Sequence, residues 1–170
     1  SLADAGYGDV GRTVALYNKR ADMALYAQAY LAEALSILTP ADSSRPLSLL
    51  DNLSILAVQS AGGATWQEEP ADNAGLNSDT RSTAIILRAL VRLDPENALI
   101  PNIVRWLMAA RREGHWSTTQ ETAQAVLGLT DYMVSSGELN PDYTYQVTLG
   151  DRQLTQASIN ASNVGESFSQ

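Results

Sequence analysis

The sequence predicts a mainly α protein: a partial α/α toroid of helix pairs followed by a short β hairpin or strand segment. Three observations carry this. Apolar residues recur at three- and four-residue spacing in successive stretches before Gly137. One helix-opening motif occurs twice, 39 residues apart (Ser78 to Ser117). Beyond Pro141 the apolar period falls to two.

Taken in order, Gly6, Gly8 and Gly11 make residues 5–11 a loop, and residues 13–19 read as a helical turn or an interrupted start of the next helix. Asp22 is placed to cap a helix to about Leu38, with Met23, Tyr26, Ala27, Tyr30, Leu31, Ala34, Leu35 and Leu38 as its stripe. Thr39-Pro40 stops it, because a residue before proline avoids helical angles. Ser43 or Ser44 caps a second helix with Pro46 in its first turn and Leu49, Leu50, Leu53, Leu56 and Ala57 on its face. Gly62-Gly63 is expected to end it. A loop follows from Thr65 to Asn77. A third helix starts at Ser78 or Asp79 and runs to Leu93, with Ile86, Ala89, Leu90 and Leu93 as its stripe, before Asp94-Pro95. A fourth spans about Ile100 to Arg112, with Ile103, Val104, Leu107 and Met108 inward, closed by Gly114. In the fifth, Ser117 with Gln120 has capping-box spacing. Thr122, Ala123, Val126, Leu127, Thr130 and Met133 are expected to form its inner stripe, and it ends near Ser136-Gly137. After Pro141, Tyr143, Tyr145, Val147 and Leu149 alternate with polar residues. Gly150-Asp151 is a permissive hairpin turn. The expected division is thus an α part over residues 1–138 and a β part over 139–170.

The repeat pairs Ser78, Thr80, Thr83 and Ala84 with Ser117, Thr119, Thr122 and Ala123, and Leu90 with Leu129. Glycine precedes a tryptophan (Trp66, Trp116) ahead of each copy. A repeat of this length means stacked helix pairs that bury a shared core.

Of the 170 residues, 45% are apolar and 18% charged, a globular composition, and the net charge of −8 argues against nucleic acid or an anionic membrane as partner. There is no cysteine and one histidine, which rules out a cysteine nucleophile and disfavours a structural zinc site. No run approaches the ~20 apolar residues of a membrane span. With Ser1 first and no signal peptide in view, the sequence reads as a piece of a longer protein.

Candidate chemistry is sparse. His115 lies beside Trp116, and as a base it would need a nucleophile and an orienting partner. Capping accounts for Ser117, Thr118 and Thr119, so a structural or exposed His115 is expected. Glu68, Glu69, Asp72 and Asp79 cluster around the long loop and are candidates for an acid pair or a calcium site. Calcium-loop spacing is missing, and a solvated loop is expected. Arg105, Arg111, Arg112 and Glu113 read as a helix C-terminus. The two tryptophan turns read as core anchors ahead of stacking sites for a ligand. No catalytic, cofactor-binding or metal-ligating residue is assigned, and no cofactor is expected.

Trp116-Ser117-Thr118-Thr119-Gln120-Glu121-Thr122-Ala123 with Leu127-Gly128-Leu129 resembles a signature late in the helical thioester domain of the alpha-2-macroglobulin and complement family, its bacterial branch above all. Ser78-Asp79-Thr80-Arg81 and the stretch from Trp106 to Arg112 resemble the same proteins, so the likeness covers roughly residues 78–133. The resemblance implies a helical domain that interrupts a β domain, with the hairpin from Tyr143 as the return. It implies a non-catalytic part of a broad-spectrum protease trap, an endopeptidase inhibitor of the periplasm or cell surface. Its partners would be other domains of the same parent chain and, through the full-length protein, proteases. The family's reactive Cys-x-Glu-Gln element lies at the start of the helical domain. Either this sequence begins after it, or the parent belongs to the bacterial group without it. The transfer histidine of thioester-bearing relatives lies well before the signature, so its role is not carried onto His115. Two other readings stand beside this one: a toroid enzyme acting on glycans or prenyl substrates through Glu68 and Asp79, and a helical-repeat interaction scaffold.

Overall fold

The structure, a computed structural model, describes residues 3–68, 77–138, 142–160 and 162–163. Its elements run α1 (Val10–Tyr17), α2 (Leu25–Leu38), α3 (Ser44–Ile55), β1 (Val58–Ser60), β2 (Gly63–Thr65), α4 (Asp79–Leu93), α5 (Ile100–Ala110), α6 (Thr119–Ser135), β3 (Asp142–Leu149) and β4 (Arg152–Asn160). The class is mainly α, with a short β segment after the helices. Two compact units divide the chain, Ser1–Tyr132 and Met133–Gln170. The division falls inside α6.

In the first unit, Asp9 accepts from the Arg12 amide and begins α1 three residues before the expected helical turn, so Gly11 lies in a helix and not in a loop. Asp22 does not cap α2. It sits in a 3-10 turn, Arg20–Asp22, and Ala24 occupies the N-cap without a side-chain bond. α2 packs against both α3 and α4. Its buried side is therefore Gln28, Ala29, Leu31, Ala32, Glu33 and Leu35, and Tyr26, Ala27, Tyr30 and Ala34 are half-buried. In α3, Leu49, Leu50 and Leu53 are buried as expected, but Leu56 lies past its end and is exposed.

Gly62-Gly63 is not a helix terminus. β1 and β2 pair antiparallel across these glycines, Ser60 opposite Gly63. Gly63 has φ +127°, and a Cβ there would lie 2.3 Å from the Asn102 carbonyl oxygen and 2.8 Å from Trp106 Cβ. The bare backbone lets β2 seat directly on α5. Strands of three residues leave no readable alternation, which is why periodicity passes over them.

α4 lies at the centre. Ser78 caps it by accepting from the Arg81 amide at 3.2 Å, and residues 82–87 and 89–91 are all buried. α5 packs on α4 and buries Ile100, Ile103 and Leu107, while Met108 is exposed. It ends at Ala110, so Arg111 and Arg112 lie beyond the helical carbonyls that the sequence expectation has them complement. Arg112 and His115 instead exchange backbone hydrogen bonds of 2.9 and 3.0 Å around Glu113 and Gly114. Both central residues have positive φ, 49° and 89°, as a type I′ turn requires.

α6 is capped one residue later than expected. Thr118 Oγ1 accepts from the Glu121 amide, and Glu121 Oε2 accepts from the Thr118 amide, a reciprocal capping box. Its inner face is Glu121, Ala125 and Gly128. The expected inner stripe is on the wrong side: Val126 is 52% and Leu127 44% exposed. Close approach decides the face. A Cβ on Gly128 would lie 2.7 Å from the Ala84 carbonyl oxygen, so α6 comes against the α4 backbone at Gly128.

In the second unit, β3 and β4 pair antiparallel from Asp142–Asn160 to Leu149–Arg152, with an irregularity between Val147 and Thr148. Gly150 turns the chain with φ 60°. The side carrying Tyr143, Tyr145 and Val147 also carries Thr155, Ala157 and Ile159. The hairpin is the one read from the alternation.

Candidate functional site

The two tryptophan turns are built alike. The Trp66 backbone N–H donates to Thr83 Oγ1 at 3.1 Å, and the Trp116 N–H donates to Thr122 Oγ1 at 3.1 Å. The Trp66 indole donates to the Leu53 carbonyl at 2.7 Å, the Trp116 indole to the Leu107 carbonyl at 2.9 Å. Leu53 and Leu107 lie in the last turns of α3 and α5, where helix carbonyls run short of partners, although the Leu53 carbonyl also accepts from the Leu56 amide at 3.1 Å. Each tryptophan thus closes the helix before it and fastens the helix after it. Thr83 is the more deeply engaged threonine, since its hydroxyl also lies 2.9 Å from that of Thr65. Both indoles are buried, Trp66 fully. Neither offers a face for stacking a ligand.

The acidic candidates divide. Glu69 and Asp72 lie outside the described residues. Glu68 is 7% exposed, against the expectation of a solvated loop. Its Oε1 accepts from the Tyr26 amide at 3.0 Å and the Ser82 hydroxyl at 2.8 Å, and its Oε2 accepts from the Leu25 amide at 3.3 Å. Leu25 and Tyr26 open α2, whose own N-cap residue, Ala24, supplies no side-chain acceptor. Glu68 caps that helix from 42 residues away and places a carboxylate at the positive end of its dipole. Asp79 accepts from the Glu68 amide at 3.2 Å and so holds the carrier of the cap. The two residues are joined through the Glu68 backbone amide and form a bracket between α2 and α4. Sequence reading misses this role because both partner amides are distant in the chain. The only local signal is an α2 start lacking a good cap.

His115 is exposed in its turn, and its Nδ1 lies 2.8 Å from the carbonyl oxygen of Trp116. That contact joins it to backbone, not to a nucleophile or an orienting carboxylate. Arg105 bonds Asn102 at 2.8 Å on the exposed side of α5.

Sequence reading also passes over a charged seam where α2, α4 and α6 meet. Asp131 of α6 accepts from Arg88 at 2.9 Å and from Arg92 at 2.8 Å. Arg92 also reaches Glu33 of α2 at 3.8 Å. Burial pushes the Glu33 carboxyl above its usual range, against the pull of Arg92 and Arg88. Burial likewise raises the Tyr30 hydroxyl, which contacts Gln124 of α6 at 3.4 Å. The readable signal is two arginines four apart, Arg88 and Arg92, on a helix otherwise bound for the core. Their charge ties three helices together.

Two surface hollows of about 160 and 290 Å³ lie at the α2–α3 connection and between the N-terminal segment and α2. Neither is lined by Glu68, Asp79, His115 or a tryptophan. Among the described residues no group of three or more His, Asp or Glu side chains is placed to hold a metal ion, and no helix is long and apolar enough to cross a membrane. No protein-family model matches the chain, and no curated protein matches it.

Proposed function

We propose that this chain is a structural, non-catalytic part of a bacterial alpha-2-macroglobulin-like protease trap, a broad-spectrum endopeptidase inhibitor acting outside the cytoplasm. The observation that carries the reading is the repeated tryptophan–threonine lock. Trp116 and Thr122, two of the residues that carry the resemblance, and their counterparts in the internal repeat, Trp66 and Thr83, fasten successive helix pairs. Such a stack is a frame that positions other parts of a parent chain. Capture of a protease would need a bait segment and moving domains supplied elsewhere, and covalent capture would need a cysteine-derived thioester, for which this sequence has no cysteine.

The toroid-enzyme reading draws little support. Glu68, its main acid, has both carboxylate oxygens engaged by the α2 amides and Ser82. A general acid needs a proton to transfer toward substrate, in a site that substrate can reach.

The test has two arms. The 170-residue chain, incubated with several endopeptidases, should leave their activity unchanged and give no shifted band on a denaturing gel. The full-length product of its gene should block digestion of a large protein substrate while leaving turnover of a small peptide substrate intact, since a caged protease keeps its active site. Stoichiometric inhibition by the short chain, or equal loss of both substrates with the full-length product, would overturn the proposal.

A further inference from the structure

The charged seam of α2, α4 and α6 holds a buried acid with an unmet oxygen. Glu33 is 7% exposed, and its Oε1 accepts no hydrogen bond among the described residues. Arg92 Nη1 lies 3.8 Å from that oxygen, past hydrogen-bond reach. Asp131 is placed differently. Its Oδ2 accepts from Arg88 Nε at 2.9 Å and from Arg92 Nε at 2.8 Å. One guanidinium, that of Arg92, therefore stands between two carboxyl groups on different helices. It is bonded to the one on α6 and not to the one on α2.

An ionised carboxylate buried beside a guanidinium closes to about 2.7–2.9 Å, because an unpaired charge in the interior is costly. The open gap at Glu33 is the geometry of a carboxyl that carries its proton. The surroundings agree. Burial disfavours the Glu33 anion most; Arg92 and Arg88 of α4 favour it, and Asp4 of the N-terminal segment and Asp131 of α6 disfavour it. Tyr30, one turn earlier on α2, is also kept from ionising by burial. Loss of the Glu33 proton to solvent leaves a charge that needs Arg92. The two acids approach the guanidinium through different nitrogens, Nη1 and Nε. Arg92 is the mobile partner, 38% exposed where Glu33 is enclosed. Closing the gap takes a shift of about 1 Å, which draws Nε off Asp131. We propose that Glu33 and Asp131 compete for Arg92, and that release of the Glu33 proton moves Arg92 from α6 to α2 and loosens residues 119–132, the part of α6 in the first unit. The seam is a proton-sensitive latch, closed while Glu33 is protonated and Asp131 is not. The inference does not depend on the protease-trap reading.

Two measurements on the whole chain test it. Carboxyl-carbon NMR of the glutamate side chains, with Glu33 assigned by its loss in Glu33→Gln, should show Glu33 ionising at higher pH than the exposed Glu96 and Glu113. Amide hydrogen exchange is compared between wild type and Glu33→Gln at each pH, so that its intrinsic pH dependence cancels. The two chains should coincide below the Glu33 transition. Above it, the α6 amides should exchange about tenfold faster in wild type, the worth of one hydrogen bond to a charged group, while those of α3 stay equal. Adding Asp131→Ala to both chains removes the contested bond, so the difference between them should vanish. A Glu33 midpoint no higher than those of Glu96 and Glu113 overturns the proposal. So does equal α6 exchange in wild type and Glu33→Gln above the transition. An acceleration shared by α3 would mean general loosening, and one that survives Asp131→Ala would mean a route other than Arg92; either also overturns it.

Discussion

Replacing Glu68 distinguishes a bracket from a reacting group. In Glu68→Ala, the Leu25 and Tyr26 amides lose their acceptor, and α2 has no side-chain cap to substitute. Losing a cap costs about 1–2 kcal/mol. The Ser82 hydroxyl, fully buried, loses its partner too, and an unsatisfied buried donor costs about 1–3 kcal/mol. These contributions overlap, so we expect a total of about 2–4 kcal/mol. At roughly 2–4 °C per kcal/mol for a chain of this size, the melting temperature falls by roughly 5–15 °C. Glu68→Gln keeps one acceptor oxygen but loses the charge facing the helix dipole, and should cost about 1 kcal/mol. Urea titration followed by far-ultraviolet circular dichroism measures both. A loss below about 0.5 kcal/mol for the alanine variant would show that the carboxylate does not hold α2, and would return it to the candidates for chemistry.

Four further outcomes are expected. Thr83→Val should cost about 1–3 kcal/mol by orphaning the buried Trp66 amide, and Thr122→Val, at a half-buried site, about 1 kcal/mol; the order is read from urea midpoints. Leu127→Ala should cost under about 1 kcal/mol and Leu107→Ala about 2–5 kcal/mol, although the sequence stripes place both inward. Gly128→Ala should destabilise by about 1–3 kcal/mol despite alanine's helix preference, because its Cβ would press on the Ala84 carbonyl. Burial raises the folded pKa of Glu33 above its unfolded value, so its contribution to stability is fully present below the unfolded value and falls as pH rises through the folded one. Glu33→Gln, which does not titrate, should therefore gain on wild type in paired urea melts as pH rises from the unfolded carboxyl's range through the raised folded one.

Local chemistry makes most of the helices legible. Pro46, the Thr39-Pro40 stop and the Ser78 cap each act within a few residues of themselves, and the structure uses them where spacing places them. The same holds for Gly150 in the hairpin. What stays hidden depends on distance or on competition. α6 carries two rival faces, one of larger residues (Val126, Leu127) and one of small residues (Ala125, Gly128). Hydrophobicity favours the first, but the second admits a backbone contact with α4 that no side chain would allow. Nor does any pattern near Glu68 point to amides more than 40 residues earlier.

The two copies differ most in how they bury a carboxylate, and this accounts for their unequal turns. Trp66 stands 17 residues before its threonine, Trp116 only 6 before its own. Aligned by those threonines, Ser82 in the first copy corresponds to Glu121 in the second. Glu121 is buried and caps its own helix through Thr118. The first copy has a serine there instead, and the Ser82 hydroxyl donates to the carboxylate of Glu68, a residue of the longer turn. The longer turn delivers an acid that can serve two helices at once, bonding α4 through Ser82 while capping α2 through Leu25 and Tyr26. A serine-to-glutamate exchange tests this directly. Ser82→Glu would set a second carboxylate against Glu68 in a buried space, where like charges repel without solvent to screen them. It should destabilise far more than Glu121→Ser, which loses only a local cap worth about 1 kcal/mol. Pairing Ser82→Glu with Glu68→Ala should recover part of the loss, because one carboxylate again occupies the space. Absence of that recovery in urea melts would mean that the aligned positions do not perform the same task.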